Sequence, residues 1–248
     1  MSAWSYDQIA AVYATDMGQS MPFDDVGYYR ELAQRAHGPV LELGCGTGRI
    51  LLPLLRAGVD SFGVDRSLPM LQQLRRDGSD LAPRVAQMDL RALALTGRFA
   101  LILAPYSLIT YLTRAAQVDA FLDQVRELLD AGGTLLLDAF VPRPVESFED
   151  FRRDYARPHG SGMLERHKRI RQLDDGCNRI ERRYRLLDGN GQLVDEFTTV
   201  DVIRPYAPDA LHHMLRRNGY RVCGEAFDYG SGAATEAARF CSVLATAG

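Results

Sequence analysis

The sequence has no apolar run approaching the roughly 20 residues of a bilayer-spanning helix, and its polar N-terminus has no signal-peptide core. Membrane insertion and export are therefore not expected; a cytoplasmic location is. Its four cysteines, Cys45, Cys177, Cys223 and Cys241, show neither C-x-x-C pairing nor metal-ligand spacing. That excludes a disulfide framework and a structural zinc from the expectations. Positive charge is not in excess: 29 basic side chains face 32 acidic ones, for a net charge of -3. Nothing draws the chain as a whole to phosphate backbones, so nucleic acid is not an expected partner. There is no internal repeat and no low-complexity tract. What remains is ordinary: 46% hydrophobic and 25% charged over 248 residues, enough for one large domain, or a domain with an insertion, around a sizeable core.

Apolar runs alternate with helical patterns through the first 140 residues. Strands are expected over 39–44, 61–65, 84–88, 99–104 and 134–138. Between them lie helices over 49–57 (stopped by Gly58), from Ser67 to about Asp77, and over 117–129. Ser67 is an N-cap and Pro69 is tolerated in the first turn. This alternation implies right-handed crossovers and a parallel sheet. After Phe140 the pattern changes. Residues 141–164 predict a surface-running loop. Three strands follow near 165–173, 178–187 and 194–204, with a hairpin at Asp188-Gly-Asn-Gly191. A helix over 208–218 and strands near 220–227 and 239–246 complete the main sheet. The fold expected is α/β, a doubly wound, mostly parallel seven-stranded sheet carrying an inserted antiparallel β-sheet. Three regions result: 1–36, helical; 37–140 with 205–248, the main domain; and 141–204, the insertion.

The run VLELGCGTG over 40–48 ends a strand, turns on glycines and opens a helix. In an open α/β sheet that is where ligands bind. Asp65 ends the next strand about 20 residues on, the spacing of a carboxylate that binds ribose hydroxyls. Asp89 ends the third strand, where it can accept a hydrogen bond from an adenine amino group. A dinucleotide site wants a third small residue, but that position is Arg49, and no Lys-Ser/Thr follows Gly48 to bind a nucleoside triphosphate. The loop suits a ligand without phosphate whose amino-acid part and ribose pass over the glycines, such as S-adenosylmethionine (SAM).

With residues 40–48, Asp65, Met88-Asp89 and the strand after Phe99, the sequence resembles the class I SAM-dependent methyltransferases, which have a Rossmann-like domain. The resemblance covers about 37–140 and the last forty or so residues. It implies that Gly44 and Gly46 approach the methionine moiety, Asp65 binds the ribose, Asp89 binds the adenine amino group, and Met70 and Met88 border the adenine plane. The product would be S-adenosylhomocysteine. The opening YDQIAAVY over 6–13 resembles the lid segment of small-molecule members, which implies that Tyr13 covers the cofactor. A helical lid together with an insertion after the fifth strand resembles N-methyltransferases acting on amino sugars or glycine-like amines. Oxygen as acceptor stays open. A noncatalytic SAM-binding module is the competing class, and a nicotinamide dehydrogenase the second enzymatic one, failing at Arg49.

Methyl transfer needs alignment, exclusion of water and management of one proton. The fourth strand delivers Ala104-Pro105-Tyr106-Ser107 to the reactive edge. This is not the [DN]-P-P-[YF] of amide and adenine methylation, contains no Pro-Cys nucleophile, and lacks the carboxylates that hold magnesium in catechol-type enzymes. No metal is expected. Tyr106 is a candidate for both cofactor contact and catalysis, and with Tyr111 it can wall a substrate pocket. Asp138 can orient a substrate, act as a base, or cap the following turn. His167, near Tyr184 and Asp201, is the insertion's candidate, within a basic stretch whose interleaved acids predict a salt-bridged sheet. His212-His213 face apart on a helix and make poor joint ligands. The partners expected are a small-molecule substrate and at most a second copy, as monomer or homodimer.

Overall fold

The computed structural model describes residues 4–17, 21–230 and 237–248. In chain order the helices are α1 (Ser5–Ile9), α2 (Tyr13–Met17) and α3 (Asp25–Arg35), then β1 (Val40–Leu43), α4 (Leu51–Arg56), β2 (Ser61–Asp65), α5 (Leu68–Asp77), β3 (Arg84–Gln87), β4 (Phe99–Ala104), α6 (Ala115–Leu128) and β5 (Leu129–Phe140). Four long strands follow: β6 (Phe148–His159), β7 (Gly162–Gln172), β8 (Asn178–Leu187) and β9 (Leu193–Ile203). The last elements are α7 (Pro208–Arg217), β10 (Tyr220–Phe227) and β11 (Phe240–Ala247). They fall into two compact units. One takes the chain up to Pro22 with Arg143–Arg204, the other Phe23–Pro142 with Pro205 onward. No helix among the described residues is long and apolar enough to cross a membrane.

The larger unit is a seven-stranded sheet in the order β10-β11-β5-β4-β1-β2-β3. The five strands from β1 to β5 pair in parallel, while β11 runs antiparallel between β5 and β10. Strands β1 and β4 lie mid-sheet and read as unbroken apolar runs because both faces are covered: Leu41, Leu43, Ile102 and Leu103 have no exposed surface. Helix α6 presents Val118, Phe121, Leu122 and Val125 to that core, and α7 presents Leu211 and Leu215. Ser67 caps α5 as expected, its Oγ accepting from the Met70 amide. The chain order reverses between β1 and β4, and this opens the crevice at their carboxyl ends.

The smaller unit is an antiparallel sheet in the order β6-β7-β8-β9, joined by successive hairpins. Residues 148–159, expected as loop, form its first strand. The turn over 188–191 closes as predicted, with the Asp188 carboxylate accepting from the Asn190 and Gln192 amides. Along β9, Thr199, Asp201 and Ile203 are buried while Val194, Val200 and Val202 are exposed. Helices α1 and α2 dock on this sheet through polar anchors. The Asp16 carboxylate accepts from the hydroxyls of Tyr155 and Tyr184 and from the Arg166 guanidinium. Arg157 reaches the Thr15 and Asp16 carbonyls, Thr15 Oγ1 lies 2.8 Å from His159 Nδ1, and Ser5 Oγ donates to Asp201.

Candidate active site

At the end of β1 the Gly44 and Cys45 amides both reach back to the Val64 carbonyl, folding the chain over β2. Gly44, Gly46 and Gly48 have φ of +70°, +52° and +86°, a region that L side chains rarely enter. The three glycines serve different ends. A Cβ on Gly44 would come 2.9 Å from Leu108 Cδ1, and one on Gly48 would strike Leu52 and Leu74. On Gly46 it would meet nothing nearer than the Gly44 carbonyl oxygen at 4.0 Å. Gly44 and Gly48 are thus small for internal packing, and Gly46 presents bare backbone to open space.

Asp65 fastens this loop. One carboxylate oxygen accepts the Gly46 amide at 2.8 Å and the other the Ser67 amide at 2.7 Å. Two main-chain donors therefore orient it before any ligand arrives. Asp89 accepts from the side chain and amide of Arg91, with Arg66 Nε at 3.5 Å, and the Arg91 bond holds its carboxyl below the usual range. Met88 packs on the edge of the main core, whereas Met70 has no exposed surface and is a core side chain here. Arg49, the residue that breaks the dinucleotide pattern, grips Asp25 at the start of α3 through a bidentate bond of 2.9 and 2.7 Å. Its guanidinium carbon lies 5.5 Å from the centre of the Tyr106 ring.

Beneath the loop, Glu42 is buried and its Oε2 has no hydrogen-bond partner. Burial pushes its pKa up to about 8, against the pull of Arg49 and aided by Asp65. The folded protein thus keeps a proton that the unfolded chain releases above its ordinary 4.5. That contribution to stability is fully present below pH 4.5 and lost as pH rises to about 8. Glu42→Gln should therefore gain on the wild type by about 1.4 kcal/mol per pH unit across this window. Urea unfolding at several pH values between these limits measures it, and a pH-independent difference would mean that Glu42 is ionised in the fold.

The turn after β4 is strained. Tyr106 and Ser107 have φ of +53° and +61° although neither is glycine, at a cost on the order of 1–3 kcal/mol each. Asp138, on β5 and with no exposed surface, receives the Ser107 amide at 2.8 Å on one oxygen and the Tyr29 hydroxyl on the other. Ser107 Oγ in turn accepts from the Phe140 amide, and Thr110 Oγ1 donates to the Ser107 carbonyl. Burial pushes the Asp138 carboxyl up to about 6, opposed by these hydrogen bonds. The Tyr106 ring stacks on Phe240, which packs on Tyr229. Tyr229 and its neighbour Asp228 are a second left-handed pair, and the Asp228 carboxylate holds the amides of Arg239 and Phe240.

Gly44, Gly46, Asp65, Tyr106 and Asp138 thus share the carboxyl edge of the larger sheet, with Asp89 at the end of β3. Tyr13 and His167 belong to the smaller unit. Tyr13 starts α2, its ring centre 6.1 Å from that of Tyr6. His167 lies on β7 between Arg153 and Arg183, its Nδ1 enclosed without a hydrogen-bond partner. The basic residues around it are largely paired: Arg166 and Lys168 with Asp154, Arg169 with Glu181, and Arg171 with Glu149. Sequence reasoning did not single out Asp25, Tyr29, Glu42, Ser107 or Tyr229; for Glu42 the signal was an acid between Leu41 and Leu43 in an apolar strand. Among the described residues no group of three or more His, Cys, Asp or Glu side chains could hold a metal ion.

Residues 40–133 match the family described as "Methyltransferase domain". The Bacillus subtilis protein YqeM, provisionally named a methyltransferase, is 29% identical over 135 residues, 54% of each chain. A ubiquinone biosynthesis O-methyltransferase of Cereibacter sphaeroides is 28% identical over 141 residues, 55% of this chain and 50% of that one. The matched stretch spans about half the length of these curated relatives. The sugar N-methyltransferase of a Streptoalloteichus species has the same fold, with a TM-score of 0.74 over 96% of this chain and 92% of that one, at 18% identity. Glycine loop, carboxylates and strand order agree with the family match: residues 40–133 are similar to a methyltransferase domain, and the strand order is the one such a domain needs at this edge.

Proposed function

We propose that the protein transfers a methyl group from SAM to a nitrogen of a small-molecule amine. The observation that carries the cofactor half is the Asp65 carboxylate, fixed by two amides beside the bare backbone of Gly46. In this reading Gly46 lets the methionine moiety approach, with Gly44 shaping the loop from beneath. Asp65 holds the ribose hydroxyls, and Asp89 and Met88 meet the adenine. SAM supplies an electrophilic methyl on a sulfonium; the carbon–sulfur bond breaks as the carbon–nitrogen bond forms, and the product ammonium gives up a proton. The chain's own task is to align the amine and exclude water. Tyr106 lines the edge where the two reactants meet, and the reading assigns no metal a role.

Nitrogen is favoured because the whole-chain likeness, inserted sheet included, extends to a sugar N-methyltransferase. The oxygen reading rests on the relative that is an O-methyltransferase, which matches half the chain. Incubation with methyl-tritiated SAM and pooled amino sugars and small amines, beside a matched pool of phenols and sugar hydroxyls, tests both. Label transferred only to the hydroxyl pool would overturn the amine reading and leave methyl transfer standing. Absence of SAM binding by calorimetry would remove the function altogether.

A further inference from the structure

We propose that Asp138 is the positioning residue of the reactive edge: its buried carboxylate grips the Ser107 amide and the Tyr29 hydroxyl, and so holds Tyr106 and Ser107 in their left-handed turn beside the glycine loop. What the turn does rests on the methyltransferase reading; how the turn is held does not.

Two consecutive non-glycine residues do not stay left-handed without restraint. The restraints here converge on β5. Asp138 takes the Ser107 amide, and two residues on, the Phe140 amide donates to Ser107 Oγ. The second oxygen of Asp138 is held by Tyr29, which is itself fully buried on α3, the helix whose first residue pairs with Arg49. From the turn the effect passes in two directions. Leu108 fills the space that a Gly44 side chain would need, so the turn abuts the glycine loop. Tyr106 stacks on Phe240, whose amide is pinned by Asp228 in the second left-handed pair. Releasing the Ser107 amide would let the turn relax, draw Leu108 off the loop and unstack Tyr106. Asp138 has no surface with which to meet a substrate, so its influence must travel through the turn.

Asparagine at 138 keeps an acceptor for Ser107 and a group facing Tyr29, whereas alanine keeps neither. Glycine at 107 adopts the left-handed conformation without restraint. The amides of Leu108 and Thr110 bond across the turn to the carbonyls of Pro105 and Ser107, and their hydrogen exchange reports its conformation. Asp138→Ala should lower their protection at least tenfold and cut methyl transfer from labelled SAM into the amine pool by at least tenfold. Asp138→Asn should stay within about threefold of wild type on both measures. Adding Ser107→Gly to Asp138→Ala should recover part of the transfer. Unchanged protection in Asp138→Ala would overturn the proposal. So would an Asp138→Asn protein that keeps its protection and loses transfer, since the carboxylate would then act in the chemistry itself. If the wild type transfers no label, the functional reading fails, and the exchange pattern alone decides whether Asp138 holds the turn.

Discussion

Asp16→Ala is expected to loosen the smaller unit as a whole, at a cost of about 3–5 kcal/mol. The side chain is buried, and its carboxylate is the common acceptor for Tyr155, Tyr184 and Arg166. Removing one partner of a buried ion pair typically costs that much, because the remaining charge is left uncompensated. Arg166 would retain Asp154, which sets the effect toward the lower end for the charge alone. The two phenol hydroxyls add to it, since each loses an acceptor in a desolvated place and such orphans cost about 1–3 kcal/mol apiece. A two-unit chain need not unfold in one step, so hydrogen exchange should be followed separately over 148–203 and over 40–140. The first region should lose protection in the variant and the second should not. Asp16→Asn, which still offers one oxygen, should fall between. Wild-type protection over 148–203 in Asp16→Ala would show that the hub is dispensable.

Asp65→Ala should weaken SAM binding by at least about a hundredfold. Two ribose hydroxyls would each lose a bond to a charged acceptor worth about 1.5–3 kcal/mol, and 1.4 kcal/mol is already tenfold. A further loss comes from within the protein. The same carboxylate anchors the Gly46 and Ser67 amides, so alanine also frees the loop that SAM would have to meet in order. Asp89→Ala should act more weakly, because Asp89 is at the margin and engaged with Arg91. Calorimetric titration with SAM, alongside a circular-dichroism melt to confirm folding, makes the comparison. Equal affinity in a folded Asp65→Ala protein would remove the cofactor site from this edge.

The centre of the larger unit was legible because its middle strands are apolar on both faces and β1 runs into a glycine turn. Leu41, Leu43, Ile102 and Leu103 announce a covered sheet, and Gly44 to Gly48 announce what sits at its end. Strand β6 was not legible, for a physical reason. This sheet meets α2 through Asp16, Tyr155, Arg157 and Arg166, so charged and aromatic groups occupy positions where a hydrophobic pattern would have been sought. The candidate edge was half legible. Asp65 and Gly46 follow from spacing along the chain. The pairs Arg49–Asp25 and Tyr29–Asp138 join residues that share no local pattern, and a left-handed Tyr106–Ser107 turn carries none of the glycine or asparagine that usually flags one.

The smaller unit is assembled from two stretches that the sequence keeps more than a hundred residues apart, and this bears on how such a protein can be recombined. Ser5, Thr15 and Asp16 contribute anchors as specific as any within the sheet they serve. A graft of residues 143–204 from a homologue would arrive with its own tyrosines and arginines but meet a foreign amino-terminal segment. Ancestors exchanging this module would have had to move both pieces at once, or pass through chimaeras with mismatched ends. Inheritance of the module is thus tied to two separate places in the gene, and a designer wishing to transplant it should cut twice.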